Sequence, residues 1–170
     1  FGINFTIGLT PKERIDADFA VCVEYGVPVL ITSYGNPTEL AQRAHAHKMT
    51  VFHDVISLAH AKKAEAAGVD AIIAVAAGAG GHAGLISPYV LYPWLRAELQ
   101  APIIAAGCIT TGQQIVASLA LGAELCYIGT RFIASTECGA DPGYKQKVVE
   151  AGPEDIVYTN AVSGIHANFI

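Results

Sequence analysis

Ala71-Ile72-Ile73-Ala74-Val75-Ala76-Ala77-Gly78-Ala79-Gly80-Gly81-His82 is the stretch that decides the fold. Its first half is apolar at every position, without the alternation of a half-solvated strand, and so reads as a parallel strand covered on both faces. Its second half dissolves into glycines and then presents one histidine. Upstream, Leu58 to Ala67 reads as a helix ending at Gly68, where a left-handed C-terminal cap is wanted. Downstream, Pro102 to Ala106 is a second apolar run. After it Thr110, Thr111 and Gly112 open a helix over Gln113 to Leu121, with Ile115, Val116, Leu119 and Ala120 on one face and Gly122 at its end.

The same unit recurs along the chain. Phe1 to Thr6, Val27 to Thr32, Met49 to His53 and Leu125 to Ile128 complete a set of six strands. Tyr25-Gly26-Val27, Ala67-Gly68-Val69-Asp70 and Leu121-Gly122-Ala123-Glu124 each mark a helix turning into the next strand. Repeated βα units give either an open doubly wound sheet or a closed barrel. An open nucleotide-binding sheet places its glycine fingerprint after the first strand. Here the glycine-rich turns follow late strands, so the expected fold is α/β, a (β/α)8 TIM barrel of which residues 1–170 hold about six units as one domain. The first two barrel strands and the C-terminal end of such a barrel are expected to be missing.

Composition narrows the function. Of 170 residues, 52% are apolar and 15% charged, enough to bury a core. A net charge of −5 argues against a nucleic-acid or anionic-membrane surface, which would need a basic face. No stretch approaches the roughly 20 apolar residues of a spanning helix. Cys22, Cys108, Cys126 and Cys138 form no C-x-x-C pair and follow no secretory signal, so they read as reduced core thiols in a cytoplasmic protein.

In a β/α barrel the loops at the C-terminal ends of the strands build the site. In the loop from Ala76 to Gly84, Gly80 and Gly81 would let backbone amides approach a flat or phosphorylated ligand, and His82 could take or give a proton near neutrality. An incidental imidazole on a flexible loop explains the same residues, and loop chemistry alone leaves both readings open. Two further loops, Gly107 to Gly112 and Tyr127-Ile128-Gly129-Thr130, leave consecutive late strands and suit a phosphate cradle. His53 and Asp54 could face the pocket or form a buried hydrogen-bonded pair. Arg131 and Glu137 could pair beneath the phosphate loop, or Arg131 could touch the phosphate. His45, His47 and His60 read as surface residues, and nothing near Cys108 suggests a lowered thiol pKa.

In their order, Ala79-Gly80-Gly81-His82-Ala83-Gly84, Pro102 to Gly107, Leu119 to Ala123 and Gly129-Thr130-Arg131-Phe132-Ile133-Ala134 resemble the nitronate monooxygenases, and Phe1-Gly2-Ile3-Asn4 is similar to that family's third barrel strand. The resemblance spans nearly the whole chain. It implies FMN bound without covalent attachment, with Gly80, Gly81, Gly107, Tyr127, Ile128, Gly129 and Thr130 around it and Asn4 near its ring. His82 matches the histidine that serves as base or orients substrate. The chain departs from the family where Val75 and Gly78 replace a glutamine and a glutamate. Cys108 also stands for a second glycine, and Asp54 sits where some related quinone reductases have lysine. The implied partners are a small nitronate or nitroalkane and dioxygen, with a carbonyl compound and nitrite as products. The same loops are shared by NAD(P)H-dependent FMN reductases of quinones or enoyl thioesters. A flavin-free barrel enzyme acting on a sugar phosphate would use the cradle alone, and a non-catalytic FMN-binding barrel is a further possibility.

Overall fold

All six apolar runs form strands in the computed structural model, which describes residues 1–170. The order is β1 (Gly2–Thr6), α1 (Lys12–Glu24), β2 (Val29–Ser33), α2 (Thr38–Ala46), β3 (Thr50–Val55), α3 (Leu58–Ala66), β4 (Ala71–Val75) and β5 (Gly81–His82). It continues with α4 (Pro88–Glu98), β6 (Ile103–Ala106), α5 (Gly112–Ala120), β7 (Leu125–Tyr127), α6 (Thr130–Ile133), α7 (Pro142–Glu150), β8 (Val157–Thr159) and β9 (Ala167–Phe169). Strands β1-β2-β3-β4-β6-β7 make one sheet in that order, parallel throughout, curled as an arc of a barrel with β1 and β7 at its edges.

Side-chain parity gives the sheet two different faces. Leu30, Val51, Val55, Ile72, Ala74, Ile103 and Ala105 point outward to the helices and belong to a buried cluster of 25 residues. This outer layer is the main core. The alternate positions point to the concave side, where Ala71, Ile73, Ile104 and Ala106 form a cluster of 4 flanked by Ile31, Phe52 and Val75. At about 25 cal/mol per Å² of apolar surface, the outer layer contributes most of the folding free energy.

The helix ends match their sequence signals. Thr111 accepts from the Gln114 amide while the Gln114 side chain accepts from the Thr111 amide, a reciprocal capping box that starts α5. Gly122, at φ +99°, ends the same turn in the left-handed region.

A second sheet has no counterpart in the sequence reading. β5, β9 and β8 form a separate antiparallel sheet in which Gly81 pairs with Asn168 and His82 with Ala167. The His82 loop is therefore tied to the C-terminal segment. The expectation for the thiols is also only partly met: all four cysteines are free, yet only Cys22 is buried and Cys108 is exposed.

Tyr92 of α4, fully buried, donates from its hydroxyl to the Ala106 carbonyl at 3.0 Å and so fixes the end of β6 where the loop to Gly107 begins. Ala106 O also accepts from the Ala76 amide at 2.9 Å. Replacing Tyr92 with Phe removes one of two bonds and should cost about 1 kcal/mol. A urea midpoint lowered accordingly is expected; an unmoved midpoint would show that the hydroxyl contributes nothing.

Candidate active site at the C-terminal ends of the strands

The loops after β4, β6 and β7 meet at very short range. A Cβ at Gly80 would collide with Thr130 Oγ1, and one at Gly78 with Cys108 Sγ. At Gly107, with φ +113°, an added Cβ would lie 3.1 Å from the Ala79 amide nitrogen. Glycine is required at Gly107 by its positive φ and the Ala79 backbone beside it, while at Gly80 a side chain would have to displace the Thr130 hydroxyl. Cys108 takes up φ +58° as a non-glycine residue, so the side chain in this turn is held in a strained left-handed conformation with its thiol donating to Ala77 O at 3.4 Å.

Not all amides here are free. Those of Thr110 and Thr111 both donate to Gln114 Oε1, at 2.7 and 2.9 Å, which removes the first amides before α5 from any cradle. The amides of Gly107, Cys108 and Gly129 find no partner in the chain. Beyond Gly129 there is open space where its side chain would be. Amides left unpartnered in loops that crowd one another suit an anionic group. The residues present therefore fit the phosphate of a mononucleotide.

A cavity of about 1200 Å³ opens on the concave side. Asn4, Ser33, Tyr34, Asp54, Val75 and His82 line it from the sheet, and Tyr158 and His166, stacked at 5.1 Å, close it from the C-terminal segment. Among the residues singled out by sequence, Asn4 and His82 line this cavity. Gly80, Gly81, Gly107, Tyr127, Ile128, Gly129 and Thr130 lie on the converging strand ends and loops.

His82 is exposed, and its ring meets the edge of Tyr34 at 5.5 Å between centroids. Its Nε2 lies 3.3 Å from Ser163 Oγ, and Ser163 donates its hydroxyl proton to Ile165 O at 3.0 Å. With that proton committed, Ser163 can only accept, so His82 carries hydrogen on Nε2 and keeps a lone pair on Nδ1. Asn168 donates to Ala79 O at 2.7 Å and fixes the other end of the same loop. Ser163 and Asn168 were not singled out by sequence. Their role depends on pairing across 81 and 89 positions, and no local pattern reports it.

His53 and Asp54 are neighbours with opposite surroundings. His53 faces outward, buried, with Nδ1 2.7 Å from Thr32 Oγ1, and burial pulls its pKa down to about 4. Asp54 has the parity of Phe52 and faces the concave side. Its Oδ1 is buried without a hydrogen-bond partner, and burial alone lifts its carboxyl from 3.8 to about 7. The two do not pair with each other. Burial first, and the Asp54 charge second, push up the hydroxyls of Tyr34 and Tyr127. Arg131 and Glu137 are both exposed and form no ion pair, so the first of the two readings given for Arg131 does not hold.

The raised Asp54 pKa sets a stability window. The unfolded chain loses this proton near pH 4 and the folded chain near 7, so stability falls as pH rises across that interval and stays lost above it. Asp54→Asn never ionises. It should be more stable than the wild type at pH 8 by up to about 4 kcal/mol, with the gain vanishing near pH 4. Thermal unfolding at the two pH values reads this, and the same offset at both would contradict it.

Comparison with known proteins gives a consistent set of likenesses. A family model described as nitronate monooxygenase matches residues 2–170. A probable nitronate monooxygenase of Staphylococcus saprophyticus is 31% identical over 170 residues, covering 93% of this chain and 48% of that protein. FabK from Thermotoga maritima superposes with a TM-score of 0.91 at 38% identity, covering 100% of this chain and 54% of that one. A nitroalkane oxidase from Streptomyces ansochromogenes gives 0.88 at 27% identity, over 99% and 60%. The chain spans about half the length of the curated relatives it matches.

Proposed function

Because this chain belongs to the nitronate monooxygenase family, whose members are flavoenzymes, we propose that the protein binds FMN on the concave side of its sheet and oxidises alkyl nitronates with dioxygen. The products are a carbonyl compound and nitrite. The observation that supports this best is the meeting of three loops, with unpartnered amides at Gly107, Cys108 and Gly129, beside a cavity lined by His82.

The amides of Gly107 and Gly129 and the Thr130 hydroxyl would hold the phosphate, with Ile128 and Tyr127 leading into the turn. Gly80 and Gly81 would let the chain pass close to the ring system, and Asn4 would meet it from β1. Thr130 opens a helix of only one turn, so the single amides matter more here than any helix dipole. Held there, FMN would supply the electron-transfer chemistry between nitronate and oxygen.

The rest falls to side chains of this chain. The cavity admits a small substrate beside His82, whose Nδ1 lone pair can take the α-proton of a neutral nitroalkane: the C–H bond breaks, its electron pair moves into the C=N bond, and the proton ends on the imidazole. A substrate supplied as nitronate needs no such step. Ser163 keeps the imidazole in the tautomer that can act, and Tyr34 limits its rotation.

The test is the visible spectrum of the full-length protein without oxygen. A yellow protein bleached by nitronate, and by nitroalkane only while His82 is present, is expected. His82→Asn should keep its flavin and its nitronate reaction but lose about 100-fold or more in rate with neutral nitroalkane. A colourless protein, or one bleached by NADPH and not by nitronate, would overturn the proposal, the latter in favour of a flavin reductase.

A further inference from the structure

The outward and concave faces of β3 differ at one residue that the mechanism above leaves unused. Asp54 is an acid on the wall of the cavity, and its Oδ1 is shut off from water and from every donor in the chain. A carboxylate placed so would have one oxygen without solvation or compensation, whereas a carboxylic acid protonated on the other, Oδ2, which is not sealed in this way, would offer a hydrogen-bond donor to whatever fills the cavity.

No positive charge relieves it. The titratable groups around the same cavity are Tyr34 after β2, His53 on β3, His82 on β5, Tyr158 and His166 of the C-terminal segment, and His60 and Lys63 at its α3 side. Tyr127 on β7 is also close enough for its hydroxyl to respond to the Asp54 charge. The only cause acting on Asp54 is burial, so Lys63 and the imidazoles stand too far away to hold it ionised. An anion entering beside Asp54 meets no cation there, so the acid proton is the available partner.

We propose that Asp54 selects the charge of the substrate: as a carboxylic acid it donates a hydrogen bond to an anionic oxygen of the nitronate, and as a carboxylate it repels that anion. This rests on the nitronate reading above and adds a specificity-determining residue to it. No bond is made or broken, because the proton stays with Asp54 and is shared with the nitronate oxygen. The acid form dominates below pH 7 and the carboxylate above it, so the site takes anions on the acid side and loses them on the alkaline side.

The probe is isobutyrate, which matches the nitronate of 2-nitropropane in shape and charge and is not oxidised. Isobutyramide is its neutral counterpart. Binding of each to the flavin-loaded full-length protein is measured by calorimetry from pH 6 to 9. In the wild type, the isobutyrate Kd should rise roughly tenfold for each pH unit above 7, while the isobutyramide Kd stays level. In Asp54→Asn, whose amide donates at every pH, the isobutyrate Kd should lose that dependence.

Reading the result as a difference between wild type and variant removes titration of the cavity imidazoles. An isobutyrate affinity that is level with pH in the wild type, a slope that survives in Asp54→Asn, or an equal slope for isobutyramide would each overturn the assignment. If Asp54→Asn fails to fold, Asp54→Ser, whose hydroxyl also donates at every pH, takes its place in the same comparison and should likewise lose the slope. Failure here is distinct from failure of the proposed function. A protein that nitronate does not bleach refutes the function, whereas one that nitronate bleaches but that binds isobutyrate without pH dependence refutes only the role of Asp54.

Discussion

Three strand ends of this molecule approach one another more closely than side chains allow. Gly80 lies against the Thr130 side chain, Gly78 against the Cys108 thiol and Gly107 against the Ala79 backbone, so the rim of the sheet is closed at positions that leave no room for a further side chain. The amides of Gly107, Cys108 and Gly129 are left without partners inside the chain, the first half-buried and the other two exposed, and donors free in this way can receive an anion. The core enforces the approach from below. Tyr92 anchors the end of β6, and the parallel register sets Val75 beside Ala106 and Ala106 beside Tyr127.

The parity of the strands then divides the labour. Outward residues are mostly apolar and supply stability, and the single outward histidine on β3 is kept neutral by burial first and the His60 charge second. Concave residues near the strand ends, Asn4, Ser33 and Asp54, are polar and line the cavity. Leaving Asp54 Oδ1 without a partner costs stability above neutral pH, the kind of local cost that functional sites retain.

Much of this could be read from residues alone. Unbroken apolar runs such as Ala71–Val75 gave the parallel strands, because burial on both faces leaves no polar alternation to mislead. Glycines at helix ends placed Gly68 and Gly122, both in the left-handed region. Other features were not legible. The β5-β9-β8 sheet uses a strand of two residues and a hairpin far along the chain, too short for any periodic signal. Ser163 and Asn168 reach the His82 loop only through that pairing. The loss of the Thr110 and Thr111 amides to Gln114 followed from the capping box, whose side-chain geometry the composition of the turn did not disclose. The separation of His53 from Asp54 was readable in principle, since adjacent strand residues face opposite ways.

The central claim is that main-chain amides at the ends of β6 and β7 grip a phosphoryl group. Titrating flavin-stripped full-length protein with FMN and with riboflavin, which lacks only that group, tests it most directly. Two or three charge-assisted hydrogen bonds should make FMN bind more than about a hundredfold more tightly. Equal affinity for the two would contradict the account.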